Sequence, residues 1–153
     1  MSKIILLADG KTFLTGSWDN TVKHWDIDSG KEIRTFQGHT GWVNNILLLP
    51  DEKGFLTASD DNTVKHWDLE TGEEIKSFEG YISGITEILL LPDGKTFLTH
   101  CGSNRLERYG NLVDDVKHWD LETGKEIKTF VHNGVTKIHL LPDARTFLTV
   151  GNS

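Results

Sequence analysis

The sequence predicts an all-β chain assembled from copies of one small sheet, and three observations carry that prediction. All seven phenylalanines fall in two recurring slots: Phe13, Phe55, Phe97 and Phe147 open the tripeptide FLT, while Phe36, Phe78 and Phe130 close KEIRTF, EEIKSF and KEIKTF. The pentapeptide VKHWD stands at 22–26, 64–68 and 116–120. All three prolines (Pro50, Pro92 and Pro142) follow a Leu-Leu pair. A fixed period of this kind marks a stack of one supersecondary unit, and it governs how every local motif is read.

The unit is 42 residues long, the step from Phe13 to Phe55 and from Phe55 to Phe97; the last step, to Phe147, is 50. Two edits explain the difference. Sixteen residues, His100 to Asp115, separate FLT from VKHWD in the third unit, against six in the second, Ala58 to Thr63. The stretch from the closing Phe to LLP is then two residues shorter.

Within the second unit, four stretches have strand character: WVNNILLL, GFLTAS, TVKHWDL and EEIKSF. Each is short, rich in β-branched, aromatic or aliphatic residues, and bounded by turn formers. Pro50 to Gly54 separates the first two, Asp60-Asp61-Asn62 the next, and Glu70-Thr71-Gly72 the last. Proline presets φ, Gly and Asn tolerate positive φ, and Asp bonds nearby backbone. Four short strands joined by tight turns make an antiparallel meander. Such a sheet cannot cover both of its apolar faces, so it requires neighbours on each side.

These units resemble WD-repeat β-propeller blades over essentially the whole chain. The likeness rests on Gly38-His39 before the first strand, Trp67-Asp68 at the end of the third, and the SDDNTVKHWD segment (59–68). It implies an all-β fold, a partial WD-repeat β-propeller of about three and a half four-stranded antiparallel blades. The blades are expected at about 1–37, 38–79 and 80–131, with a half blade at 132–153, in one propeller segment. Strands are lettered a to d from the hub outward.

The resemblance also implies a hydrogen-bonded lock of His, Asp, Ser/Thr and Trp in each blade. By position the second unit has all four: His39, Asp61, Thr57 and Trp67. The first keeps Thr15, Asp19 and Trp25. The third has Thr99 and Trp119, with Tyr81 in the His slot and Asp114 or Asp115 near the Asp slot, and the fourth has His132 and Thr149. The second blade is therefore expected to be the most stable, because each absent buried hydrogen bond forgoes about 0.5–1.5 kcal/mol.

Composition narrows the function. The formal net charge of −7 is spread along the 153 residues, which argues against nucleic acid or an anionic membrane as the main partner. No apolar run approaches the roughly 20 residues of a membrane span. The IILLA segment near the N-terminus is short for a signal-peptide core, so a cytoplasmic location is expected. Cys101 is the only cysteine, which rules out an internal disulfide. His24, His66 and His118 recur at one slot, but they lie on third strands of sheets that pack about 10 Å apart. A zinc ligand must approach to about 2.0–2.1 Å, so they read as packing residues. No P-loop, paired-carboxylate or zincin motif is present, and neither a cofactor nor an enzymatic role is expected.

Ten of the fourteen aromatics fill repeat slots; Trp18, Trp42, Tyr81 and Tyr109 do not. In the topology of the family these four fall on b–c or d–a connections, which share one rim. Aromatics gathered on one loop face suit a protein-binding hot spot. The insertion HCGSNRLERYGNLVDD (100–115) adds Arg105 and Arg108 to that rim, where paired Arg side chains suit an acidic or phosphorylated peptide. The sequence is thus read as a non-catalytic protein–protein interaction scaffold. Its expected partner is a protein or peptide, with contacts at Trp18, Trp42, Tyr81, Arg105, Arg108 and Tyr109. Two alternatives stand beside it: a self-assembling half-propeller in which a second copy completes the ring, and a sensor segment of a larger signalling ATPase or kinase.

Overall fold

A computed structural model describes residues 3–81, 83–101, 115–131, 135–143 and 145–151. Its strands come in fours, each set antiparallel and in chain order. β1 (Lys3–Leu6), β2 (Thr12–Gly16), β3 (Val22–Asp26) and β4 (Glu32–Phe36) form the first sheet. β5 (Val43–Leu48), β6 (Gly54–Ser59), β7 (Val64–Asp68) and β8 (Glu74–Phe78) form the second. β9 (Ile85–Leu90), β10 (Thr96–Cys101), β11 (Asp115–Asp120) and β12 (Glu126–Val131) form the third, and β13 (Val135–Leu140) pairs with β14 (Phe147–Gly151). No helix occurs among the described residues. β1, β5 and β9 lie side by side, as the inner strands of successive propeller blades do.

The turns explain much of the repeat. Asp9, Asp93 and Asp143 each accept two backbone N–H groups of their hairpin, and also the hydroxyl of Thr12, Thr96 and Thr146. The aspartate that ends each VKHWD does the same for the c–d turn: Asp26, Asp68 and Asp120 accept the N–H of Ser29, Thr71 and Thr123. These are Asx turns, so the aspartate of the Trp-Asp pair is a structural residue of the turn. Asn20 and Asn62 occupy matching positions of the b–c turns with φ of 71° and 69°, a conformation that Asn tolerates better than most residues.

The core lies between blades, which is why one sheet alone has no interior. Leu14, Val22 and Phe36 of the first sheet pack on Val43, Ile46, Phe55 and Trp67 of the second. Leu56, Val64 and Phe78 pack on Ile85, Phe97 and Trp119 in the same way. Each described junction carries an edge-to-face phenylalanine pair: Phe36–Phe55 at 4.8 Å, Phe78–Phe97 at 5.0 Å and Phe130–Phe147 at 5.0 Å. The two phenylalanine slots of the repeat meet here, each pair adding about 0.5–1.5 kcal/mol beyond its buried area.

An outer belt joins the blades as well. Arg34 on β4 donates to the Thr71 carbonyl of the next c–d turn at 2.8 Å, and Lys76 on β8 donates to that of Glu122. Within blades, Lys23–Glu32, Lys65–Glu74 and Lys117–Glu126 recur as ion pairs at 2.8–2.9 Å. Their carboxylates are 35–37% exposed, and such pairs contribute on the order of 1 kcal/mol or less each.

Ile4 lies on the face of the first sheet that has no neighbour here. It is 55% exposed, whereas its repeat equivalents Ile46, Ile88 and Ile138 are 2%, 6% and 3% exposed. Leu148, on the strand pair, is 54% exposed, against 0% for Leu56 and 2% for Leu98.

Candidate interaction surface

The lock of the second blade fixes the loops around it. His39, brought in by the β4–β5 connection, sits between two partners. Its Nδ1 lies 2.6 Å from Asp61 Oδ2, and its Nε2 lies 2.6 Å from Thr57 Oγ1. Trp67 Nε1–H donates to the same Thr57 oxygen at 2.9 Å. Asp61 is saturated: Oδ2 also accepts the Thr40 N–H at 3.0 Å, and Oδ1 accepts the N–H and hydroxyl of Thr63 at 2.9 and 2.6 Å. Burial alone would raise the Asp61 carboxyl. The hydrogen bonds from His39 and Thr63 outweigh it and hold the group far below the usual carboxylate range. All four residues expected of the lock are thus in contact.

The other blades use fewer parts. In the first, Trp25 Nε1–H donates to Thr15 Oγ1 at 2.9 Å, while Asp19 accepts the N–H and hydroxyl of Thr21. In the third, Trp119 Nε1–H donates to Thr99 Oγ1 at 3.1 Å, and the Tyr81 hydroxyl stands 2.7 Å from the same oxygen. Asp114 and His132 lie outside the described residues.

Tyr81 is therefore corrected from a partner contact to a packing residue. It is buried, its ring centroid is 5.1 Å from that of Trp119, and burial pushes its phenol well up. A tyrosine in the His slot reaches the same threonine from the same connection, which leaves no ring surface for a ligand. Arg105, Arg108 and Tyr109 lie outside the described residues.

Trp18 and Trp42 remain, and the structure brings them together. Trp18 is on the β2–β3 connection and Trp42 on the β4–β5 connection, one blade apart. Their ring centroids are 5.5 Å apart at an interplanar angle of 27°. They are still 61% and 51% exposed. The connection holding Trp42 is pinned on both sides: Val43 N–H donates to Ser17 O at 3.1 Å and Asp60 N–H to Trp42 O at 2.9 Å. Gly41 is required beside it, since a Cβ there would lie 2.5 Å from Asp61 N. The pair is thus an exposed aromatic patch, carried on a pinned backbone, that bridges two blades on the rim of b–c and d–a connections. Reading each unit separately misses this contact, because it crosses a blade junction.

The repeated histidines stand elsewhere. His24, His66 and His118 pair in register with Leu14, Leu56 and Leu98. Burial pulls the imidazoles of His24 and His66 below their ordinary pKa. Among the described residues, no three His, Cys, Asp or Glu side chains gather as a metal site would require, and no helix is long and apolar enough to cross a membrane.

Comparison with known proteins agrees with this geometry. Residues 4–26 and 30–68 match the family described as WD domain, G-beta repeat. Nuclear distribution protein PAC1-2 of Postia placenta is 53% identical over 36 residues, 24% of this chain and 8% of that protein. Human dynein assembly factor with WD repeat domains 1 is 44% identical over 39 residues, 26% of this chain and 9% of that protein. Ribosome assembly protein 4 of Chaetomium thermophilum is 62% identical over 29 residues, 19% of this chain and 6% of that protein. The chain thus covers under a tenth of each of these relatives, about the length of one repeat. The repeat motifs, the blade sheets and the His39–Asp61–Thr57–Trp67 lock agree with the family match: residues 4–26 and 30–68 are WD repeats, and the described residues fold as three four-stranded blades and a further strand pair.

Proposed function

We propose that this chain is a non-catalytic protein-interaction scaffold that takes a protein or peptide partner on the rim bearing Trp18 and Trp42. The observation that carries the reading is the exposed indole stack. Tryptophan is among the residues most enriched at interface hot spots, and a stacked pair on a pinned backbone loses little conformational freedom on binding. Relatives named for dynein assembly and ribosome assembly carry the same repeat, in keeping with work on macromolecular partners. Tyr109 on the insertion is proposed as a supplementary contact, and Arg105 and Arg108 would join it only for an acidic partner segment.

An unbiased peptide array probed with the wild-type chain and with a W18A/W42A variant tests this. The reading expects a set of peptides that bind the former and not the latter. An array with no binder that depends on the tryptophans would overturn it.

One observation favours a second reading, that another copy of the chain is a partner. The open first sheet and the strand pair present the two kinds of face that pack together at the internal junctions, with Ile4 and Leu148 exposed where their equivalents are buried. Solution mass across a concentration series tests it: a dimer lost in an Ile4→Asp variant supports it, and a monomer throughout refutes it.

A further inference from the structure

The next blade junction narrows the chemistry that the Trp18–Trp42 pair selects. Ser17-Trp18-Asp19-Asn20 aligns with Ser59-Asp60-Asp61-Asn62, and Gly41-Trp42-Val43 aligns with Ser83-Gly84-Ile85. The two indoles therefore occupy slots that hold Asp60 and Gly84 one junction later. Those two positions face each other there as well, because a Cβ added to Gly84 would stand 2.6 Å from Asp60 Oδ1. The second junction buries Phe78, Ile85 and Phe97 with a carboxylate and a bare glycine in these slots. Junction packing thus requires no indole in either slot. The stacked pair is surplus to the fold and stays half exposed or more.

Charge indicates what it receives. The described b–c and d–a connections (17–21, 37–42, 60–63 and 79–84) carry Asp19, Asp60, Asp61 and Glu79, and neither Lys nor Arg. The basic loop residues Lys11, Lys31, Lys53, Lys95, Lys125 and Arg145 lie on the a–b and c–d turns of the opposite rim, where the carboxylates of the same turns outnumber them. What sets the Trp18–Trp42 rim apart is its lack of Lys and Arg cations on the described connections. Over 102–114 the sequence balances Arg105 and Arg108 with Glu107 and Asp114. Two of these acidic residues are backbone neighbours of the tryptophans, one through the chain and one through a backbone hydrogen bond. Asp19 follows Trp18 in the chain and is exposed. Asp60, also exposed, is tied to Trp42 through its backbone N–H and is oriented by Asn44 Nδ2, 2.7 Å from its Oδ1. Indole faces attract cations, guanidinium above all, and neighbouring carboxylates strengthen that attraction. We infer that the partner segment is basic and seats an arginine or lysine side chain on the Trp18–Trp42 face, with Asp19 and Asp60 as its counter-charges. The inference rests on the rim being the binding surface.

The test uses fluorescence anisotropy with three short labelled peptides that differ only in carrying arginine, citrulline or glutamate at the variable positions. Citrulline keeps the planar shape of arginine without its charge. The arginine peptide is expected to bind wild type at least about tenfold more tightly than W18A/W42A, which keeps the net charge. Its binding should weaken as salt rises, and it should also weaken in D19N/D60N, which leaves both indoles in place and covers the case of a double Trp variant that does not fold. Equal affinity of the arginine peptide for wild type and W18A/W42A would overturn the inference, since diffuse charge attraction then accounts for binding. So would citrulline or glutamate peptides that bind as tightly and with the same dependence on the tryptophans. In that event the rim still stands as the binding surface. If no peptide of any charge depends on the tryptophans, the inference and the rim reading fall together.

Discussion

Asp61→Asn isolates the lock of the second blade from packing, because it changes no volume. In the wild-type chain Oδ2 accepts from His39 at 2.6 Å and from Thr40 N–H at 3.0 Å, while Oδ1 accepts from both donors of Thr63. An amide has one acceptor oxygen, so its NH2 must face either His39 and the Thr40 N–H or the Thr63 N–H and hydroxyl. Only the hydroxyl could turn to accept, and at least one N–H is left opposite the NH2. The side chain is only 6% exposed, so water cannot substitute freely. Two hydrogen bonds to a charged acceptor are lost, and each buried group left unpaired costs about 1–3 kcal/mol. We expect a loss of about 3 kcal/mol in urea unfolding, with hydrogen-exchange protection reduced first at residues 43–78. The carboxyl also makes the wild type acid-sensitive in a defined window. Its folded pKa is depressed, so its contribution is present above the unfolded carboxylate value of about 3.9 and is lost as pH falls below it. D61N should flatten that part of the pH profile. A loss under about 1 kcal/mol, or protection lost evenly across the three sheets, would refute the reasoning.

Three further outcomes follow from the same geometry. Tyr81→Phe removes one hydroxyl that bonds Thr99 and keeps the ring on Trp119, so it should cost about 1 kcal/mol in urea unfolding and leave peptide binding unchanged. Gly41→Ala drives a Cβ to 2.5 Å from Asp61 N and 2.9 Å from Asp60 C, both backbone atoms, and should cost about 1–3 kcal/mol; a neutral result would mean that the β4–β5 connection yields easily. Burial depresses the folded pKa of His24 and His66, so the unfolded chain binds protons more readily than the folded one. Stability is then present above about pH 6.5 and falls as pH drops through that value, before the carboxylates titrate; a urea midpoint flat from about pH 7 to pH 5 would count against buried neutral imidazoles.

Most of the fold was legible because strand and turn signals agreed within each unit. GFLTAS is β6 without adjustment, and the predicted strands on either side give up only one or two terminal residues to turns. The lock was legible by position for the same reason: the backbone delivers His39, Thr57, Asp61 and Trp67 to one point. Tyr81 could be read two ways, as an off-repeat aromatic or as an occupant of the His slot. The slot prevailed, because the connection before β9 aims whatever stands there at Thr99. The Trp18–Trp42 contact was not legible from single units, since it depends on which loops of neighbouring blades approach. The Arg34 and Lys76 bonds to the next blade were missed because long side chains reach backbone carbonyls without any periodic mark in the sequence.

When units are nearly identical, their differences sort by consequence. His39 and Tyr81 differ in kind but do one job: each is buried and meets a threonine that also receives a tryptophan N–H. A change there repacks a blade and leaves the surface as it was. Trp18 against Asp60, and Trp42 against Gly84, leave the junction closed and alter only what the rim presents. The chain itself therefore supplies a test that mutates the surface and not the fold. Trp18→Asp with Trp42→Ala brings the first junction close to the second, with Ala in place of Gly to avoid the entropic cost of a new glycine, about 0.5–1 kcal/mol. Unfolding free energy should move by under about 2 kcal/mol, the worth of a half-exposed aromatic stack, and binding of rim-dependent peptides should disappear. A loss above about 2 kcal/mol would make the indole stack part of the core of the junction, and the argument for a binding surface at this rim would lose its footing.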